Sequence, residues 1–247
     1  MNKNYWIKKK GKGGEIIWRK GRSQGLAGAK GRIGNISKQI KEILKKKKQI
    51  KILEIGAGFG RALLELKQKF GEKVKVFGTN YESEWNQKLT REYASDQKFS
   101  KEDIPKIYTN FDAGEKLPFK NNSFDFVFCQ ATMQYIKDRV FFIEEVNRIL
   151  TKEGMGVLEL QEYRSDHPKE YENLIEIWDK GKRIDFVKYL KNFKNMQIKK
   201  SKGRDWHYLI IKKAKNTKLK LKLVHSIDLE NDIYSGWWGK KVIYVEE

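Results

Sequence analysis

Residues 50–66, IKILEIGAGFGRALLEL, constrain the fold more than any other part of the chain. The stretch opens as a short apolar run, Ile52-Leu53-Glu54-Ile55, whose length and β-branching suit a buried parallel strand. Gly56, Gly58 and Gly60 follow at spacings of two, and the absence of Cβ lets backbone turn sharply and approach a ligand. Ala62, Leu63, Leu64 and Leu66 then have helical character. Strand, glycine turn and helix make the opening of a nucleotide-cradling βα unit, with the ligand expected at the strand's carboxyl end.

The spacing separates possible ligands. A dinucleotide fingerprint reads G-x-G-x-x-G, whereas this chain gives G-x-G-x-G with Glu54 two residues before the first glycine. The pattern resembles motif I of the class I S-adenosylmethionine-dependent methyltransferases. In that family the glycine loop runs under the methionine part of the cofactor, and the acid sits near its amino group. Four further segments resemble the family in order. VKVFGTN at 74–80 is similar to the second strand, V-x-G-x-D, with Asn80 where an acid usually meets the ribose; Tyr81 and Glu82 follow, and Glu82 is an alternative ribose partner. DAGEKLPF at 112–119 resembles D-A-x-x-L-P-F with one extra residue, which implies that Asp112 and Ala113 meet the adenine. NNSFDFVF at 121–128 resembles the next strand, and RVFFIEEVNRIL at 139–150 the helix F-x-x-E-x-x-R-x-L. Gln130, just past that strand, is expected beside the cofactor.

The resemblance covers residues 50–160 and is strongest to the UbiE-like methyltransferase type 11 group. It implies an α/β, Rossmann-like, doubly wound and mostly parallel seven-stranded sheet, and an enzyme using S-adenosyl-L-methionine. The expected cofactor-binding set is Glu54, Gly56, Ala57, Gly58, Gly60, Asn80, Tyr81, Glu82, Asp112, Ala113 and Gln130. No catalytic residue is expected to stand out, because the sulfonium already activates the methyl group and the protein chiefly aligns the acceptor and excludes water. Cys129-Gln130 resembles part of the P-C-Q of cytosine-C5 enzymes without its proline, and a buried hydrophobic cysteine is the stronger reading. Tyr135, Glu162, Tyr163 and His167 are acceptor-pocket candidates, although for each a packing or surface role is the stronger reading.

Local patterns fill in the rest. Residues 36–48 read as an amphipathic helix capped better by Asn35 than by Ser37. Gly71 is expected to end the helix after motif I; residues 84–93 read as a helix, 106–111 as a strand, 151–156 as a turn and 157–161 as strand five. Beyond that the resemblance fades: 169–180 and 184–193 look helical, while 206–212 and 219–225 suit a closing antiparallel hairpin, with a further strand at 242–245.

Charge divides the chain unevenly. The net of +21 splits into +15 over residues 1–51, zero over 52–150 and +6 over 151–247, with a second concentration at 191–222. Residues 1–35 carry eight glycines among basic residues and read as a basic arm or a cofactor lid before a domain at 36–247, whose substrate side is 161–247. Such a split suggests an anionic partner, nucleic acid and RNA in particular first and a membrane surface second, through residues 1–51 and 191–222; lysine-rich surface around a small-molecule acceptor, or a binding module without catalysis, is the alternative. One cysteine and three scattered histidines leave no disulfide and no expected metal site. No apolar run reaches membrane-spanning length, and a cytoplasmic protein is the simplest reading.

Overall fold

The computed structural model describes residues 24–83, 85–133, 136, 138–160, 184–202 and 207–215, together with the backbone of six short strands elsewhere. In chain order the elements are β1 (Trp6–Lys10), β2 (Ile16–Lys20), α1 (Leu26–Arg32), α2 (Ile36–Leu44), β3 (Ile50–Ile55), α3 (Arg61–Phe70), β4 (Val74–Thr79), α4 (Gln87–Asp96), β5 (Lys106–Tyr108), β6 (Phe124–Cys129), α5 (Arg139–Ile149), β7 (Leu150–Leu160), β8 (Ile177–Asp179), β9 (Lys182–Ile184), α6 (Phe186–Leu190), β10 (Met196–Lys200), β11 (His207–Lys212), β12 (Ser226–Ile227) and β13 (Val242–Ile243).

Seven strands form one sheet in the order β10-β11-β7-β6-β3-β4-β5. The five strands from β5 to β7 pair in parallel, and β11 runs antiparallel to both β7 and β10. The order reverses beside β3, so the carboxyl ends of β3 and β6 flank the crevice where ligands bind in open α/β sheets. The central strands bury side chains on both faces. In β6, Val127 and Cys129 join the apolar cluster built with Phe142, Val146 and Phe186. Phe126 and Phe128 join the opposite cluster, with Ile33, Ile40 and Leu63. β1–β2, β8–β9 and β12–β13 are separate two-stranded pairs.

Several sequence expectations shift. The end of the expected arm is core: α1 lies within residues 1–35, and Ala29 and Ile33 are fully buried. Gly34, at φ +78, lies against Tyr208, whose hydroxyl a Cβ would meet at 2.7 Å. Asn35 caps α2, accepting from the Lys38 amide at 3.0 Å, and the helix stops at Leu44. Residues 151–156 are within β7, which begins at Leu150; the register jumps from Phe124↔Leu150 to Phe126↔Met155, so the extra residues bulge out of the ladder. The closing hairpin is β10–β11, one strand earlier than expected, and residues 219–225 lie outside the described set. Alternating Met196 and Ile198 with polar neighbours mark β10, and its lysines are ordinary edge-strand protection. Residues 177–179 are strand where a helix was expected, and the helix within 184–193 shortens to α6, capped by Asp185. α4 starts at Gln87, capped by Asn86.

A buried ion pair ties α1 to the sheet. Arg32 Nη1 donates to Glu159 Oε1 at 2.8 Å, with both side chains almost wholly removed from water. The other Glu159 oxygen accepts the Ala131 amide in the loop after β6. Breaking one partner of a buried pair leaves a stranded charge and costs about 3–5 kcal/mol. Arg32→Met is therefore expected to lower the thermal midpoint sharply. Adding Glu159→Met should recover only part of the loss, because the Ala131 N–H then loses its acceptor. Calorimetric melting of the two variants checks this.

Candidate cofactor site

The carboxyl ends of β3, β4 and β6 converge on the glycine loop. Gly56, Gly58 and Gly60 all have positive φ, at +70, +55 and +76. The amides of Gly56 and Ala57 both donate to the Thr79 carbonyl, at 2.8 and 3.0 Å, and the Gly60 amide closes a turn onto Ala57 at 2.8 Å. Gly60 then leads into α3. A Cβ on Gly56 would meet Thr132 Oγ1 at 2.1 Å, so this turn is packed directly beneath the loop that follows β6.

Asn80 holds the loop from below. It is 5% exposed. Its Oδ1 accepts the Gly58 amide at 2.8 Å, and its Nδ2 donates to the Gly58 carbonyl at 3.0 Å and to the Trp85 carbonyl at 2.7 Å. Both amide hydrogens are thus committed to backbone. An aspartate would have no hydrogen to offer these carbonyls, which gives a physical reason for asparagine where the family pattern has an acid. Asn80→Ala is expected to cost about 3 kcal/mol, since it orphans buried backbone groups. It should also loosen cofactor binding through the mispositioned loop; thermal melting beside a cofactor titration separates the two losses.

Glu54, at the end of β3, is 2% exposed. One oxygen accepts from Gln130 Nε2 at 2.9 Å. The other, Oε2, has no hydrogen-bond partner, and neither does Gln130 Oε1. Burial pushes the Glu54 carboxyl well above its ordinary value of 4.5, against the opposing pull of the Gln130 hydrogen bond. Two acceptors left unmatched in one buried place ask for a donor, and a cationic donor above all.

The remaining expected residues lie around this centre. Glu82 is half-buried and accepts from the Trp85 indole at 2.7 Å. Tyr81 is 62% exposed, the one large apolar side chain left in water among the described residues. Asp112 and Ala113 are half-buried beyond β5, and Asp112 Oδ1 accepts the Gly114 amide at 2.7 Å. A Cβ on Gly114 would lie 2.9 Å from the Asp138 amide, so this loop packs against the cap of α5. Cys129 is fully buried, and burial raises its thiol well above the usual range, which suits a small hydrophobe and not a nucleophile. Tyr135, Glu162, Tyr163 and His167 lie outside the described residues.

Three contributors carry no motif. Thr132 follows a short loop whose Ala131 has φ +53; its hydroxyl donates to the Gln130 carbonyl at 3.1 Å. Glu159 anchors that loop, and a carboxylate inside the apolar run VLEL is the trace it leaves in the sequence. The chain before α1 is the third. The Gln24 carbonyl lies 3.4 Å from Gln130 Nε2, and the Leu26 amide donates to Glu65 Oε2 at 2.6 Å on α3. This segment therefore lies beside Gln130 and the first turns of α3.

Residues 53–158 match the family described as a methyltransferase domain. A glycine/sarcosine/dimethylglycine N-methyltransferase of Actinopolyspora halophila is 30% identical over 126 residues, which are 50% of this chain and 20% of that protein. The chain thus spans about a fifth of the length of this curated relative. Two structures of phosphoethanolamine N-methyltransferase 2 of Haemonchus contortus share the fold. One, with S-adenosyl-L-methionine, has a TM-score of 0.52 at 15% identity, covering 74% of this chain and 54% of the other. The second, with phosphomonomethylethanolamine and S-adenosylhomocysteine, has a TM-score of 0.51 at 17% identity over the same shares.

Proposed function

We propose that this chain, whose residues 53–158 are a class I S-adenosylmethionine-dependent methyltransferase domain, moves the cofactor's methyl group to the amine nitrogen of a small molecule. The observation that carries the reading is the unmatched acceptor pair, Glu54 Oε2 and Gln130 Oε1, beside the positive-φ glycine loop. The described residues fit the cofactor: an ammonium supplies the donors this pair lacks, and a loop without Cβ atoms admits a chain running over it. Bound there, S-adenosylmethionine would supply an electrophilic methyl group. Glu54 and Gln130 would hold its amino group, the loop from Gly56 to Gly60 would underlie its methionine part, and Glu82, Asp112 and Ala113 would meet ribose and adenine.

The protein's own work is then positioning. The segment at Gln24–Leu26, which touches Gln130, would help to exclude water there, and the Arg32–Glu159–Ala131 connection fixes the strand-end loop that carries Gln130. An amine with a free lone pair needs no base before it attacks. The amine class is supported by the Actinopolyspora halophila relative. RNA as the acceptor, which charge alone favours, has no comparable support.

The test is release of S-adenosylhomocysteine from S-adenosylmethionine in the presence of glycine, sarcosine, dimethylglycine or phosphoethanolamine. Acceptor-dependent turnover is expected with at least one amine. Cofactor binding with no turnover on any amine, or turnover on RNA instead, would overturn the amine reading.

A further inference from the structure

The two lysine concentrations, far apart in sequence, meet in the fold. The amino-terminal edge of the sheet, opposite the glycine loop, gathers the starts of β3, β4, β6, β7 and β10 and the end of β11. Lys46 and Lys48 precede β3, and Lys51 and Lys75 are Cα partners on neighbouring parallel strands. Lys212 pairs with Met155, and its amide donates to the Asn195 carbonyl at 2.9 Å, which places Lys194 beside it. All six lysines are exposed.

Three acids at this edge pair with other cations, and Glu153, in the bulge of β7, is exposed. Glu42 pairs with Lys45, Asp125 with Lys47 and Glu72 with Lys67. The six lysines face water, and of the carboxylates near them Glu42, Asp125 and Glu72 are held by other cations. Like charges directly opposite on neighbouring strands cost stability, and strands lie about 4.8 Å apart. Lys51 and Lys75, both exposed, bear that cost. An anion carrying charges at short intervals relieves it. Among the described residues this edge shows no exposed apolar anchor: the exposed aromatic, Tyr81, follows the carboxyl end of β4. Stable attachment to a membrane takes a second, apolar signal besides basic charge. Nucleic-acid phosphates need only the charge.

We infer that the amino-terminal edge of the sheet is a docking surface for the phosphate backbone of RNA, on the opposite side of the molecule from the methyl-transfer site. RNA is thereby a tether or partner, not the acceptor, and the inference stands or falls apart from the amine reading.

The experiment uses the full chain and a short labelled single-stranded RNA of mixed sequence, followed by fluorescence anisotropy across a salt series. The wild type should bind with affinity that falls steeply as salt rises. Lys51→Glu, Lys75→Glu and Lys212→Glu together should weaken binding at least tenfold. They should also flatten the log–log salt slope by about 2, at roughly 0.7 per lost phosphate contact. Reversing Lys88, Lys199 and Lys202, an equal change of charge toward the other edge, should leave both nearly unchanged. Cofactor titration of each variant confirms that it is folded. Absence of salt-dependent RNA binding by the wild type would overturn the inference. So would a triple variant that binds like the wild type, which would assign the affinity to other basic residues. Binding to phosphatidylserine vesicles without binding to RNA would replace the partner by a membrane surface and overturn it equally.

Discussion

Gly56→Val is expected to abolish cofactor binding while the protein still folds. Three costs coincide at this residue. A φ of +70 is strained for any L side chain, by about 1–2 kcal/mol and more for a β-branched one. The new Cβ would stand 2.1 Å from Thr132 Oγ1, 2.4 Å from its Cγ2 and 2.7 Å from its Cβ, so the loop after β6 has to move. That loop carries Gln130, and its displacement separates the Glu54–Gln130 pair proposed to receive the cofactor's amino group. Calorimetric titration with S-adenosylmethionine should show micromolar binding for the wild type and none for the variant. Gly58→Arg, at φ +55 on the same loop, should behave alike. A double variant sorts the causes: Gly56→Ala with Thr132→Gly clears the clashing atoms and leaves only the strained φ. Partial recovery would assign most of the loss to the clash. Unchanged affinity in Gly56→Val would mean that the cofactor does not lie over this loop, and would sink the assignment of the site.

How much of this is legible in the sequence follows from the kind of signal each part leaves. β3, β4 and β6 carry apolar runs bounded by Gly or Asn, and the strand over 74–79 is legible to the residue. The parallel sheet follows from strand–helix alternation, and the glycine loop from its spacing. The regions where sequence and structure part lack such signals. α1 reads as LAGAKGR, where small residues and two basic ones give no amphipathic stripe, yet Ala29 and Ile33 are buried and Arg32 is satisfied by Glu159. A buried arginine looks like surface until its partner, far along the chain, is known. β7 begins early because strand partners, not local propensity, extend it through a glycine-containing bulge. Asn80 is the subtler case. Its departure from an acidic position is visible in the sequence, but its role is not, because the Gly58 and Trp85 carbonyls that use its amide hydrogens are placed by tertiary structure. The same holds for the lysines: composition counts them, whereas strand order decides that Lys46, Lys48 and Lys51 share one edge with Lys194 and Lys212.

Removing the charge at Glu54 should change cofactor affinity in a pH-dependent way. In the free protein the carboxyl is buried with one unmatched oxygen, and desolvation raises its folded pKa well above the ordinary 4.5. The folded chain therefore holds a proton that the unfolded chain has released. Stability from this group is present below the unfolded value and is lost as pH climbs toward the folded one. Cofactor binding acts in the opposite sense. A cationic amino group beside Oε2 favours the carboxylate, lowers its pKa and expels the proton. Affinity for S-adenosylmethionine should accordingly rise with pH from the ordinary carboxylate range up to the raised pKa of the free protein, and level off above it. Glu54→Gln removes the titrating group, so its affinity should be nearly flat over that window. At the plateau the variant should bind roughly 100-fold more weakly, since a hydrogen bond to a charged group is worth about 1.5–3 kcal/mol. The variant should also melt at or above the wild-type temperature near neutral pH, because a neutral amide escapes the burial penalty of the carboxylate. Isothermal titration across a pH series, in buffers of different ionisation enthalpy, reads both affinity and proton release. A wild type that binds the cofactor equally well at every pH, with no protons released, would remove Glu54 from the contact with the amino group. Loss of affinity in Glu54→Gln together with a lowered melting temperature would instead assign the carboxylate to the fold.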